Sequence, residues 1–241
     1  MYKETSSRSV AKAISYRITG SLTTVLIAYF LTGRVSVALT IAGLDVVVKI
    51  GVYFLHERLW DKIHFGKKEI KPFVVWITGL AASGKTSIAK LVTERLKTMN
   101  YHVEHLDGDT VRQLFPATGF TRPEVEEHIK RVGHLASRLE QNGVFVVASF
   151  ISPFNESREF IRDLCGNFIL VHLSTPAEEC EKRDTRGLYA RARRGEIRHF
   201  AGVDLEYESP VDAHVVLDTS RLSLDAAVDR IMAELNKHIA R

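Results

Sequence analysis

The stretch Val74-Val75-Trp76-Ile77-Thr78-Gly79-Leu80-Ala81-Ala82-Ser83-Gly84-Lys85-Thr86 decides how the chain is read. Val74 to Thr78 is a short apolar run with β-branched residues, as a buried strand requires. Gly79 to Thr86 then fits G-x-x-x-x-G-K-[ST] at every position. The glycines let the backbone wrap closely round phosphates, and the following helix aims its free amides and positive dipole end at them. Lys85 is expected to reach the outer phosphates and Thr86 to ligand Mg²⁺. The strand before the loop and the helical pattern after it supply the context that a bare match lacks. Binding of ATP or GTP follows.

Outward from this loop, strands and helices alternate. Strands are predicted over Phe73–Thr78, His102–Leu106, Val144–Phe150, Phe168–Leu173 and His214–Leu217. Helices are predicted over Thr86–Met99, near Thr110–Phe115, and over Glu124–Gln141, Asn155–Leu164, Ala177–Arg183 and Leu224–Ile239, with an irregular basic segment after Arg183. Strands this apolar between amphipathic helices imply an α/β fold, a parallel sheet covered by helices on both faces. In such a sheet the carboxyl ends of the strands border the ligand crevice.

Three further clusters fall at those ends. Leu106-Asp107-Gly108-Asp109-Thr110-Val111-Arg112 follows the second strand. Asp107 and Asp109 are placed to hold Mg²⁺, directly or through water, or to accept a proton from an attacking hydroxyl. Arg112 is placed to meet an anionic group. Ser149-Phe150-Ile151-Ser152-Pro153-Phe154 follows another core strand, and Ser152 there is either a helix cap or a hydroxyl that faces substrate. Between the last two strands, Arg183 to Arg198 carries six arginines in a basic run suited to a lid that closes over a transferring phosphoryl group.

The motifs Gly79-Leu-Ala-Ala-Ser-Gly-Lys-Thr86, Asp107-Gly-Asp109, Gly119-Phe120, Ser149-Phe-Ile-Ser-Pro153, Arg183-Asp-x-x-Gly-Leu-Tyr-x-x-Ala-Arg193 and Gly195-Glu-Ile-x-x-Phe200-x-Gly202 stand in this order. Together they resemble the adenylyl-sulfate (APS) kinase family, over about Phe73 to Thr219. The resemblance implies a P-loop kinase fold and transfer of the γ-phosphoryl of ATP to the ribose 3′-hydroxyl of adenylyl sulfate, with Mg²⁺. It makes Asp109 the catalytic base, helped by Asp107, with Lys85 on the phosphates. It gives Arg112, Phe120, Ile151 and Phe200 to the substrate, the two phenylalanines holding its adenine. It matches Ser152 to a serine known as a phosphoserine position. One stretch departs from the family pattern. Where the family usually reads Asp-Arg-x-x-Asn-x-Arg-Arg, this chain has Glu124-Val125-Glu-Glu-His128-Ile-Lys-Arg131. Val125 thus replaces an arginine and His128 an asparagine, and Arg122 is near enough in sequence to supply the missing charge. Arg186 replaces the usual lysine.

The chain ahead of this region is different in kind. From Ile18 to Leu55 apolar residues dominate and Asp45 is the one acid. Ile18–Leu31, extended by Ala13–Tyr16, and Val35–Leu55 each approach the roughly 20 residues that a membrane-spanning helix needs. Thr32-Gly33-Arg34 suits a hairpin turn between them. Lys3, Arg8, Lys12 and Arg17 precede the first segment, and Arg58, Lys62, Lys67, Lys68 and Lys71 follow the second. That bias places both ends, and the kinase region, on the cytoplasmic side. Asp45 and Lys49 share a helical face, either as a neutralising pair within the helix or as a polar seam for association or transport. This part resembles a small two-span predicted membrane family of unknown function that ends in a motif like His56-Glu57-Arg58-Leu59-Trp60. The expected division is a membrane hairpin over 1–65, a basic linker over 66–72 and the kinase region over 73–241, with the lipid bilayer as partner of 13–55. Gly20, Gly43 and Gly51 offer small-residue contacts for a homodimer.

Composition bounds the rest. Lys and Arg total 33 against 29 Asp and Glu, a surplus of +4 that is too mild to make nucleic acid a partner. Two cysteines, Cys165 and Cys180, are too few for a disulfide scaffold or a zinc cluster. Two other readings stay open: a P-loop kinase for another nucleotide or small metabolite, and a membrane-anchored nucleotide-binding module.

Overall fold

A computed structural model of the chain describes all residues except 1, 5, 32–34, 64, 66, 70, 116–117 and 240–241; the side chains of 2–4, 6, 17, 21–22, 24–31, 35–46 and 67–69 also lie outside the description. The chain divides into two units, Met1–Ile70 and Lys71–Arg241.

In the first unit, β1 (Tyr2–Glu4) is followed by two long helices, α1 (Ser6–Leu31) and α2 (Val35–Lys62), and by β2 (Lys67–Glu69). β1 and β2 pair antiparallel, with Tyr2 opposite Glu69, so part of the stretch expected to be linker is a strand. α1 and α2 pack against each other, and polar side chains lock one end. Arg8 is fully buried. Its guanidinium donates to the carbonyls of Ile63 at 2.6 Å, Phe65 at 2.7 Å and Trp60, and lies 5.2 Å from the Trp60 ring. One donor group thereby gathers a carbonyl in the last turn of α2 and two carbonyls just beyond the helix. Lys12 pairs with Glu57 at 3.2 Å, and Ser15 Oγ lies 2.8 Å from His56 Nε2. The His56–Trp60 motif is therefore the surface on which the two helices join.

Both helices outrun the apolar segments read from the sequence. Among the described residues no helix is long and apolar enough to cross a membrane, so the helices do not establish the two expected spans. The described side chains of the two helices include charged Arg8, Lys12, Lys49 and Glu57 beside apolar Val10, Ile14, Ile18, Val47, Ile50 and Phe54. The Thr32–Arg34 turn and the side chain of Asp45 also lie outside the described residues.

The second unit is built on β3 (Val74–Gly79), which forms the centre of a five-stranded parallel sheet ordered β4-β5-β3-β6-β7. The other elements are α3 (Lys85–Thr98), β4 (Val103–Asp107), α4 (Gly108–Leu114), α5 (Arg122–Gln141), β5 (Phe145–Ser149) and α6 (Asn155–Leu164). β6 (Phe168–Leu173), α7 (Ala177–Lys182), α8 (Leu188–Arg193), β7 (Val215–Leu217) and α9 (Leu224–Ile239) complete it. All four strand pairings are parallel, as crossover helices demand. Strand side chains alternate between two covered faces. Val74, Trp76, Val146, Ala148 and Leu170 meet Val125, Ile129, Val132 and Ala136 of α5 and Ile161 of α6. The intervening residues, Val75, Ile77, Val147 and Ile169, are also fully buried, on the face that α3 and α9 cover. The strands read as unbroken apolar runs for this reason.

One expectation is corrected. The basic segment after Arg183 is not wholly irregular, because Leu188–Arg193 forms α8. Gly187, at φ 64°, turns the chain, the Asp184 carboxylate accepts from the Tyr189 amide at 2.8 Å, and Tyr189 and Ala192 are buried. Arginine density hid an apolar stripe of helical spacing.

A buried carboxylate sets the start of β6. Glu140, 4% exposed, accepts from the amides of Gly166 at 2.9 Å and Asn167 at 2.6 Å. Glu140→Ala leaves two amides without partners and is expected to cost roughly 2–4 kcal/mol, read from the urea unfolding midpoint of the full chain.

Candidate active site

The phosphate loop is shaped by close approach. A Cβ on Gly79 would lie 2.9 Å from both the Leu173 carbonyl oxygen and Ser83 Oγ, so no larger residue fits at the end of β3. Gly84, at φ 95°, caps α3 in the left-handed region, which glycine adopts without steric cost. The loop is supported from behind: Tyr189 donates its hydroxyl to the Ala81 carbonyl at 3.1 Å, and Ala81, Cys180 and Tyr189 pack together with Leu80, Ile151 and Phe200 around them. Lys85 folds back to donate to the Leu80 carbonyl at 2.7 Å. Burial lowers its pKa from 10.5 to about 8, against the pull of Cys180, Asp107 and Asp109. Its ammonium is thus held in the loop without a full counter-charge.

Asp107 is the junction of three elements. Its Oδ2 accepts from Thr86 Oγ1 at 2.8 Å and Ser149 Oγ at 3.0 Å, and its Oδ1 accepts from the Asp109 amide at 3.1 Å, capping α4. Burial works to raise its pKa, but these hydrogen bonds outweigh burial and hold the carboxyl below the usual carboxylate range. A threonine hydroxyl and an ionised carboxylate side by side form a hard-oxygen donor pair, which suits Mg²⁺ shared with phosphates.

Asp109 projects from the first turn of α4 and is bridged by Arg186 Nη1 at 3.0 Å from the arginine-rich segment. Arg112 donates to the carbonyls of Thr118 at 3.1 Å and Gly119 at 3.3 Å, and its guanidinium lies 4.0 Å over the Phe120 ring. Phe200 sits in a turn whose amides, at His199 and Phe200, donate to the Asp204 carboxylate. Lys85, Thr86, Asp107, Asp109, Arg112, Phe120, Ile151, Ser152 and Phe200 all border one cleft of about 740 Å³, within the range of small-molecule sites. Of the loop, Ala81, Ala82 and Gly84 border it too, whereas Gly79, Leu80 and Ser83 do not.

Two placements differ from what the sequence suggested. Ser152 is only 1% exposed, at φ 37°. Its hydroxyl accepts from Trp76 Nε1 at 3.0 Å and donates to Thr78 Oγ1 at 3.0 Å, and its carbonyl accepts from buried Arg158. It is a clamp on the turn after β5 rather than a hydroxyl open to the cleft. Arg122 does not border the cleft: it pairs with Glu126 at 2.9 Å and Glu208 at 3.2 Å and stacks 4.3 Å over Phe154. It is not available to replace the charge missing at Val125. Val125 and His128 do border the cleft, at 8% and 3% exposure. Burial, with Arg112 and Arg131 nearby, pushes His128 down to about 4, so its ring is neutral at physiological pH. Sequence reading missed Tyr189 as the support of the loop and the Arg186–Asp109 bridge, which joins residues 77 positions apart.

A phosphate-wrapping loop on the central strand of a parallel sheet, with carboxylates at the end of the edge strand β4 and arginines of the basic segment in the same cleft, defines a P-loop phosphotransferase. The comparisons narrow the class. Residues 71–218 match the model of the adenylylsulphate kinase family. The adenylyl-sulfate kinase of Synechococcus sp. (strain JA-3-3Ab) is 43% identical over 165 residues, 68% of this chain and 94% of that protein. That of Marinobacter nauticus is 42% identical over 173 residues, covering 70% and 87%. Among solved structures, the Mycobacterium tuberculosis APS kinase CysC in complex with AMPPNP and APS aligns with a TM-score of 0.67 at 35% identity, covering 70% of this chain and 99% of that one. The chain belongs to the adenylyl-sulfate kinase family. Residues 10–61 match a second family, described as a predicted membrane protein (DUF2061).

The lowered pKa of Lys85 has a measurable consequence. A phosphate needs the ammonium form, which the free protein loses as pH rises through about 8. Affinity for ATP is expected to fall about tenfold from pH 7 to pH 9 by calorimetry, and Lys85→Arg to flatten that dependence.

Proposed function

We propose that the chain transfers the γ-phosphoryl of ATP to the ribose 3′-hydroxyl of adenylyl sulfate, giving 3′-phosphoadenylyl sulfate and ADP, from a position at the lipid bilayer. The observation that carries this reading is the single cleft onto which the phosphate loop, the Asp107–Asp109 pair and Arg112 with Phe120 all open. The backbone of Gly79–Thr86 and Lys85 would hold the triphosphate. Thr86 and Asp107 would hold Mg²⁺, which when bound neutralises phosphate charge and orients the terminal phosphates. Arg112, Phe120, Ile151 and Phe200 would hold the acceptor. Asp109 would take the proton of the 3′-hydroxyl as its oxygen bonds to phosphorus and the bond from phosphorus to the β-phosphate oxygen breaks. The Asp109–Arg186 bridge keeps one lid arginine beside the reacting hydroxyl. Ser152 would act by holding the turn, so transfer would run directly from ATP.

The wall of Val125 and neutral His128 favours a second reading, in which another nucleotide or small hydroxyl compound is the acceptor. The assay of the full chain with ATP, Mg²⁺ and adenylyl sulfate decides between them. Formation of 3′-phosphoadenylyl sulfate, reduced about a hundredfold or more by Asp109→Ala, supports the first. ATP binding without turnover of adenylyl sulfate would remove it in favour of the second.

Attachment to the bilayer rests on the family match of residues 10–61 and on exposed apolar side chains. Val10, Ile14 and Ile18 recur every four residues along α1, and Val47, Ile50 and Phe54 line α2, each more than half exposed. With the flanking basic residues, this reading puts both termini and the kinase unit in the cytoplasm. The full chain is expected to sediment with membranes and to need detergent for release, not salt at about 1 M, which screens charge alone.

A further inference from the structure

Two residues beyond β7, outside the motifs that carry the family match, Thr219 makes more interactions than its place in the chain would suggest. It is 8% exposed and meets three separate segments. Its Oγ1 lies 3.0 Å from the Ser83 carbonyl of the phosphate loop, 2.8 Å from Thr175 Oγ1 in the turn after β6, and 2.8 Å from Arg183 Nη1. Its own carbonyl accepts from Arg183 Nη2 at 3.0 Å.

Chemistry assigns the protons. A threonine hydroxyl has one proton and two lone pairs. A carbonyl can only accept, so the Thr219 proton points at Ser83. Arg183 can only donate, which occupies one lone pair, and the Thr175 hydroxyl must then donate to the other. Thr175 in turn accepts from the Thr219 amide at 3.3 Å. Every valence of the Thr219 hydroxyl is used, with no slack for rotation. Arg183 ends α7, opens the arginine-rich segment and borders the cleft, with two nitrogens of its fork fixed on one residue.

We propose that Thr219 is a positioning residue that ties the root of the arginine-rich segment to the phosphate loop and so sets the grip on the nucleoside triphosphate. It touches neither reactant. It acts through the Ser83 carbonyl, which holds the loop, and through Arg183. The inference rests on the reading of the cleft as an ATP-dependent kinase site.

The test uses the full chain and separates the two. Binding of AMPPNP with Mg²⁺ is measured by calorimetry for the native protein, Thr219→Val and Thr219→Ser, beside the KM for each substrate. Valine keeps the shape but leaves a buried carbonyl and a guanidinium N–H without their partner, so AMPPNP affinity is expected to fall about five- to twentyfold. The KM for ATP should rise in step while that for the acceptor changes by less than about twofold. Serine, which keeps the hydroxyl, should restore native binding. Native AMPPNP affinity in T219V overturns the inference and leaves the kinase reading standing; failure of the native chain to bind AMPPNP removes both. Equal losses in T219V and T219S, or equal rises in both KM values, mark a merely structural role and overturn it as well. Should T219V fail to fold, Arg183→Met reports from the other partner, and unchanged AMPPNP affinity there overturns the proposal.

Discussion

The carboxylate of Asp107 is the constraint on which the site depends. It accepts hydrogen bonds from Thr86 at the start of α3, Ser149 at the end of β5 and the amide of Asp109 in α4. These groups meet because Asp107 and Ser149 are register partners in the parallel β4–β5 ladder, next to central β3. A slip of one residue in that ladder would turn one of the two side chains to the other face of the sheet. Sheet register and site geometry are thus one requirement.

Charge in the cleft is arranged around what is to be bound. Lys85 is burdened by burial, and its Nζ rests on a neutral carbonyl. Asp107 is stabilised as an anion by three donors, and Asp109 is met by a lid arginine. The cation that phosphates require is therefore left least satisfied, while the Asp107 carboxylate is held ionised. Neutral donors rather than countercharges do much of this work, which leaves the cleft free to take up an anionic ligand.

Much of the site was legible because its chemistry is local. The phosphate loop is eight consecutive residues, and the strand before it and helix after it are visible in the same window. Asp107, Asp109 and Arg112 could be placed at the cleft because apolar strands put their carboxyl ends there. Other features depend on distant residues. Ser152 reads equally as a cap or an open hydroxyl until Trp76 and Thr78 are seen to enclose it. Arg122 reads as a spare cation until Glu126 and Glu208 take it. α8 is obscured by its arginines, since two buried residues in six are too few to show a period.

Composition and order thus determined the alternation of parallel strands and helices, the phosphate loop and the break in character near residue 70. All three follow from hydrophobic periodicity and from the steric freedom of glycine, which act between near neighbours. The tertiary structure alone decided which hydroxyls are open and which are buried, which arginines are engaged, and that Thr219 joins the loop to the arginine-rich segment. Those outcomes turn on hydrogen-bond valence and burial between residues up to 136 positions apart, as Ser83 and Thr219 are, and no local pattern encodes them.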